Sequence, residues 1–447
     1  MRLSTRSSTR LAAALGILAG AGCGGSAAAP FALPSSHGAI ASPIEHVVFI
    51  IQENRSFNNL FLGYPGATTQ SFGYDTKGRK IALQPIRLAT NWDVGHSSTD
   101  FFAACNGKGR LPGTDCRMDG WNNEVAAPHP PPNYAYAYVP RKEIEPYWAL
   151  AREYVLADRT FASNLDASFV AHQYALAAYA ARTVDYPYNQ WGCQGNRNDT
   201  IKTFTQQRTY GPKVRVCFGF PTLADEADGA AITWRSYAGS ISGDGGLWSP
   251  FQADRHIFEG PDWNANVVSP PSEFLTDVAN GKLANITWIS PTYETSDHPG
   301  LRARQGPAWV ASVVNAIGES KFWDSTAVFV FWDDWGGWFD PVRPVYEDYD
   351  GLGFRVPLLM VSPYAKRGYV THARYETASV LRFIEDNFGL APLAASDARA
   401  HDPVADAFDY RQKPRKFKTI PGAKPAGFWL RAQHHGEAPA SNVIGDD

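Results

Sequence analysis

The chain lacks the marks of several specialised classes. Its formal net charge is only −3, from 41 Lys and Arg against 44 Asp and Glu, so nothing points to a nucleic-acid partner. The apolar run at residues 11–22 falls short of the roughly 20 residues that a membrane-spanning helix needs. Cysteines number five and none forms a C-x-x-C pair, which argues against a thiolate metal centre. No internal repeat is visible, so the chain is not a repeat array.

What is present fits a globular protein. The 447 residues, 44% hydrophobic and 19% charged, suffice for one large α/β domain or two ordinary ones. Fourteen Trp serve either an aromatic-walled cleft or a large core, with the core favoured. Arg2, Arg6 and Arg10 precede the run at 11–22, the layout of an export signal over residues 1–22. Ala21-Gly22-Cys23 follows, where a bacterial lipoprotein would be lipidated on Cys23, although Gly20 stands where Leu is usual. Lipidation of Cys23 and ordinary cleavage near residues 27–29 or later both stay open. Either makes the protein exported: periplasmic, held at the cell envelope or secreted. Residues 23–42, rich in Ala, Ser, Gly and Pro, read as a flexible tether, 43–431 as the folded domain and 432–447 as a disordered tail. With Cys23 set aside, Cys105, Cys116, Cys193 and Cys217 suggest two disulfides. Three connectivities are possible. Local pairing of Cys105 with Cys116 and of Cys193 with Cys217 closes the shortest loops and is expected.

Continuous apolar runs at 45–51 (EHVVFII), 285–290 (NITWIS), 326–332 (TAVFVFW) and 356–362 (VPLLMVS) predict strands buried on both faces. Helical spacing lies between them. Trp309, Val310, Val313, Val314 and Ile317 share one face; Val380, Leu381, Ile384 and Phe388 share another, which Thr377 would cap and Gly389 would end. Strands alternating with helices predict an α/β fold, a mostly parallel central sheet flanked by helices. Residues 64–140 and 185–270 lack clear periodicity and read as long insertions over the active edge. The basic stretch 411–418 reads as a solvated surface segment.

Chemistry concentrates where strands end. In open α/β sheets ligands bind beyond the carboxyl ends of the strands. Glu53 and Asn54 follow the first strand and offer hard oxygen ligands. Asp333 and Asp334 follow another; adjacent carboxylates repel unless a cation lies between them or they point apart, and Gly336-Gly337 permits a tight turn beside them. Three carboxylates and an amide oxygen suit Mg²⁺, Ca²⁺ or Mn²⁺ better than zinc. Ser168 opens a predicted helix running through Tyr179, where the positive dipole end favours an alkoxide and an incoming anion, unless it is only an N-cap. His172 lies four residues on and shares that face. His96, His298 and His372 sit in polar loops, where imidazoles suit phosphate contact and proton transfer.

These residues lie in EHVVFIIQENRSFNNLF, GHSSTDFF, MDGW, SFVAHQY, SDHPG, VNAIGES, FVFWDDWGGWFDPV and the long segment from RVPLLMVSPYAKRGYVTHARYE to FIEDNFGL. In that order, over about residues 45–410, they resemble the motifs of the bacterial phosphoesterase family, which contains phospholipases C and acid phosphatases. The resemblance implies an alkaline-phosphatase-like α/β fold. It implies a divalent metal held by Glu53, Asn54, Ser168, Asp333 and Asp334, with Ser168 as nucleophile. His96 and His298 take the positions of the family's phosphate-contacting histidines, and His172 and His372 are further candidates for holding substrate. Pro341 stands where the family pattern GG-F-Y-D-H ends in His. The function implied is hydrolysis of a phosphoester, a phospholipid head group being one candidate, with membrane contact only through a lipid anchor or a lipid substrate. A catalytically silent surface lipoprotein is the rival.

Overall fold

The computed structural model describes residues 42–243, 246–300 and 305–432; the signal, the tether up to residue 41 and the tail from 433 lie outside the described residues. Eight strands form the central sheet: β1 (His46–Gln52), β2 (Val155–Ala157), β3 (Trp234–Tyr237), β4 (Val267–Val268), β5 (Ile286–Ile289), β6 (Thr326–Trp332), β7 (Leu358–Val361) and β8 (Tyr369–Thr371). Their order across the sheet is β4-β3-β5-β1-β6-β7-β2-β8. Only β7 runs against the rest, pairing antiparallel with β6 and β2. The fold is therefore α/β with a mainly parallel sheet, as the alternation of strands and helices predicts.

The middle strands explain themselves. Every residue of β6 and all but His46 of β1 are buried, because both faces are covered, and apolar side chains fill them except at the ends, where Gln52 and Thr326 lie. Helices cover the sheet in two groups. Helix α1 (Glu145–Glu153) packs on α3 (Gly306–Gly318), and α2 (Ser168–Ala177) packs on α4 (Ala378–Phe388). Trp309, Val310, Val313, Val314 and Ile317 of α3 are all fully buried, the stripe that their spacing predicts. Helix α4 ends at Gly389 with φ +71°, a left-handed cap that glycine adopts without strain. Thr377 does not cap it. Its backbone is already helical, and its hydroxyl instead accepts a hydrogen bond from Ser163 N at 3.1 Å.

Two other readings change, and one strand is new. Residues 185–270 are not wholly insertion: they supply β3 and the edge strand β4. Strand β2 is three residues long, too short to leave a pattern. In the basic stretch, Arg415 is half-buried and donates to the carbonyls of Glu153 and Ala365, so the segment is docked at that point. Cys105 pairs with Cys116 and Cys193 with Cys217, the local connectivity expected. Tryptophan serves mainly the core: Trp121, Trp248, Trp288, Trp309, Trp332, Trp335, Trp338 and Trp429 rank among the largest fully buried side chains.

Candidate active site

Strands β1 and β6 are neighbours in parallel register, with Gln52 opposite Trp332. Glu53-Asn54 and Asp333-Asp334 therefore leave the sheet side by side. Asn54 turns with φ +51°, a left-handed conformation that Asn tolerates better than most residues. The turn aims its N–H at Asp333 Oδ1, 3.0 Å away. The glycine pair sets the approach of the other loop. Gly336 (φ +59°) lies so close to Asn54 that a Cβ there would stand 2.1 Å from the Asn54 carbonyl oxygen, and Gly336 N donates to Asp334 Oδ1 at 2.7 Å.

Helix α2 brings the third element. Ser168 is its first residue and Ala167 is the N-cap, so Ser168 does not spend its hydroxyl on capping. Ser168 Oγ instead lies 3.2 Å from Glu53 Oε2, 3.3 Å from Asp334 Oδ2 and 3.5 Å from Asn54 Oδ1. One turn on, His172 Nε2 meets Glu53 Oε1 at 2.9 Å and Asp333 Oδ2 at 3.9 Å. All six side chains are buried. Glu53, His172 and Asp333 each offer a ligand atom within 4.8 Å of the others, so the donor set includes an imidazole nitrogen alongside the oxygens expected. Asp333 Oδ2 is buried with no hydrogen-bond partner.

Two more histidines flank the cluster. His96 Nδ1 faces Val94 O at 2.8 Å, and its Nε2 faces Asn54 Nδ2 at 2.7 Å and Asp334 Oδ2 at 3.8 Å. The network assigns the tautomer: Nδ1 donates to the carbonyl and Nε2 accepts from the amide, which turns Asn54 Oδ1 toward Ser168. The His298 ring lies 6.1 Å from that of His96 and 5.5 Å from that of Trp248, with Nδ1 on the Pro299 carbonyl and 4.0 Å from Asp93 Oδ2.

Residues 44–391 match the model of the phosphoesterase family. The chain belongs to that family. It is accordingly a phosphoric ester hydrolase. Phospholipase C B of Mycobacterium tuberculosis is 22% identical over 414 residues, covering 78% of this chain and 74% of that protein. The non-hemolytic phospholipase C of Burkholderia pseudomallei is 25% identical, covering 82% and 60%. Non-specific phospholipase C1 of Arabidopsis thaliana is 24% identical, covering 78% and 68%. Among solved structures, a Vibrio parahaemolyticus protein of the alkaline phosphatase superfamily aligns over 81% of this chain and 71% of its own, at 10% identity and a TM-score of 0.39.

Not every predicted residue of the phosphoesterase reaches the cluster. His372 follows β8, three strands from β6 and hence roughly 14 Å across the sheet. Its Nδ1 pairs with Asp158 Oδ1 at 2.9 Å and its side chain is 59% exposed, so the structure sets it apart from the other candidates. Pro341 sits beside Asp340, whose buried carboxylate Arg355 grips at 2.8 and 3.0 Å.

Two residues that the sequence alone did not single out brace the site. Arg55, next to Asn54, is fully buried; its Nε donates to Asp297 O at 2.9 Å and Nη2 to Leu88 O at 2.6 Å. Burial pulls its pKa down to about 10 against the opposing pull of Asp297. The Asp297 carboxylate accepts from Tyr147 Oη at 2.8 Å and Trp332 Nε1 at 3.0 Å, linking the loop of His298 to the end of β6. Burial pushes Asp297 up to about 6. The signal available was proximity in sequence: each adjoins a candidate residue.

A second set of metal-capable groups lies elsewhere: Asp225, Asp254 and His256. His256 places Nε2 2.5 Å from Asp225 and Nδ1 2.8 Å from Asp254. Near His96 a cavity of about 470 Å³ opens, lined among others by Asp93, Val94, Val125, Tyr186, Tyr188 and Lys213.

Proposed function

We propose that this phosphoesterase is a metal-dependent hydrolase of phospholipid-type phosphodiesters with Ser168 as nucleophile. One observation carries the reading. Ser168 Oγ has a single proton, yet it faces oxygens of Glu53, Asn54 and Asp334 within 3.5 Å. The proton satisfies one contact; the others set lone pair against lone pair, and positive charge among them reverses the sign. The orphaned Asp333 Oδ2 fits the same need. Glu53, Asn54, Ser168, Asp333 and Asp334 would hold the ion, with His172 at its edge. Hard oxygens suit Mg²⁺, Ca²⁺ or Mn²⁺, and the imidazole also admits metals that favour nitrogen. Such an ion, when bound, supplies the positive charge that acidifies the Ser168 hydroxyl and draws a phosphoryl oxygen.

The chain's own groups divide the chemistry. Ser168 Oγ attacks phosphorus in line, forming one O–P bond as the bond to the ester oxygen breaks, and its proton passes to Glu53 Oε2. The N-terminus of α2 favours the anion there. His298 protonates the departing alkoxide, then takes a proton from the water that cleaves the phosphoserine, while Glu53 returns its proton to the Ser168 oxygen as that bond breaks. His96 holds the Asn54 amide rather than shuttling protons, since both its nitrogens serve that geometry. The phosphodiester choice follows the relatives, which are phospholipases C by name.

Release of nitrophenol from nitrophenyl phosphorylcholine and from nitrophenyl phosphate, each with and without chelator, tests this. We expect diester cleavage at least about tenfold faster than monoester cleavage, abolished by chelator and restored by a divalent ion. Faster monoester cleavage makes the protein a phosphatase. Activity that survives chelation ends the metal reading.

A further inference from the structure

Several of the large apolar or aromatic side chains that reach solvent border one opening, the two most exposed among them. Val125 is 69% exposed, Tyr188 71% and Tyr210 48%. Val125 and Tyr188 line the cavity near His96, and so do Thr99 and Lys202. Tyr210 joins them: its hydroxyl meets Thr99 Oγ1 at 2.9 Å, and Lys202 Nζ stands 4.5 Å above its ring. Tyr346, 46% exposed, covers the guanidinium of Arg208 in the same turn as Tyr210. The inner wall of the cavity is Asp93, Val94 and Gly95. That wall stands against His298 through Asp93 and continues directly into His96.

We propose that this rim docks on a phospholipid surface and admits a lipid to the cluster, an inference that rests on the phospholipid reading of the site. Phenol rings seat well at the boundary between headgroups and acyl chains, where one end is apolar and the other wet. Lys213 at the same mouth is exposed and offers an ammonium group to lipid phosphates, whereas Lys202 is paired with Asp185 at 2.9 Å. A protein partner would want a closed apolar patch with a polar border. Here the exposed groups surround an opening, so whatever rests on them must pass a molecule inward. A bilayer does so by raising one headgroup.

Co-sedimentation of the purified protein with phosphatidylcholine vesicles, and with vesicles that also contain phosphatidylglycerol, tests the rim. We expect wild type to sediment and the double variant Val125→Asp/Tyr188→Asp to bind about tenfold more weakly. Val125→Trp should bind more tightly, an outcome that no folding defect produces. Wild type that stays in solution with both vesicles, or a double variant that matches it, overturns the proposal. So does a wild-type dimer that the double variant converts to monomer, because the rim then covers a second copy. Cleavage of a soluble nitrophenyl diester by wild type reads the chemistry separately. Cleavage without vesicle binding removes the rim proposal alone; vesicle binding without cleavage supports docking and removes the proposed reaction.

Discussion

The phosphoesterase holds two clusters of the same residue types, and they solve opposite problems. Glu53, Asp333, Asp334 and His172 meet at the ends of buried strands around the hydroxyl of Ser168, where oxygen faces oxygen. Asp225 and Asp254 meet across His256, which sets one ring nitrogen against each carboxylate. His256 Nε2 bonds the Asp225 carboxylate and its Nδ1 stands 2.8 Å from Asp254, so an imidazole lies between the two acids. The first cluster has His172 against Glu53 and Asp333, but sets Glu53 and Asp334 around the Ser168 hydroxyl, which has one proton for both. Ligand type alone does not mark a metal centre; what stands between the carboxylates does.

The sharpest break of this contrast is by mutation on each side. Asp333→Asn or Glu53→Gln should lower kcat by at least about a thousandfold and remove the bound metal, read by elemental analysis, with the melting temperature retained. His256→Ala should leave both metal content and kcat within about twofold, since its contacts are to Asp225 and Asp254 rather than to the groups around Ser168. Metal lost from the His256 variant but kept in the Asp333 variant would reverse the assignment.

A smaller effect separates the histidines. His298→Ala should lower kcat/KM, which reports the step that expels the leaving group, about a hundredfold for a substrate with a poor leaving group and much less for a nitrophenyl ester, whose leaving group needs no proton. His372→Ala, outside the cluster, should change neither. Steady-state rates on both esters decide it, and a uniform loss across the two esters would deny His298 the role of acid.

The mildest effect belongs to the second cluster. Burial pushes Asp254 up to about 7 from 3.8, against the pull of His256. The folded chain then binds a proton there more tightly than the unfolded one. That contribution is full below about pH 4 and is lost as pH rises through about 7. Asp254→Asn should flatten the fall in melting temperature over this window. An unchanged slope would show that Asp254 titrates normally.

How much of this the sequence shows depends on residue and scale. Strands β1 and β6 were legible because burial on both faces demands unbroken apolar runs, and the polar residues that end those runs mark the site. Gly389 was legible because only a residue free of Cβ strain ends a helix that way easily. Strand β2, with three residues, and β3, reading Trp-Arg-Ser-Tyr, carry too little pattern. His372 and His298 look alike in sequence, each a polar-loop histidine beyond a strand. Strand order separates them, and strand order is settled by tertiary packing. Arg55 and Asp297 escaped because bracing residues have no spacing rule of their own.

Gly336 sets how closely the two loops approach. The distance between the Asn54 and Asp334 loops is fixed by a hydrogen atom where any other residue would put carbon. The calibre of the cluster is thus a property of the main chain. Exchanging its carboxylates retunes charge and reach, but widening the gap takes a side chain at position 336, which makes that glycine the natural place to alter which ions fit.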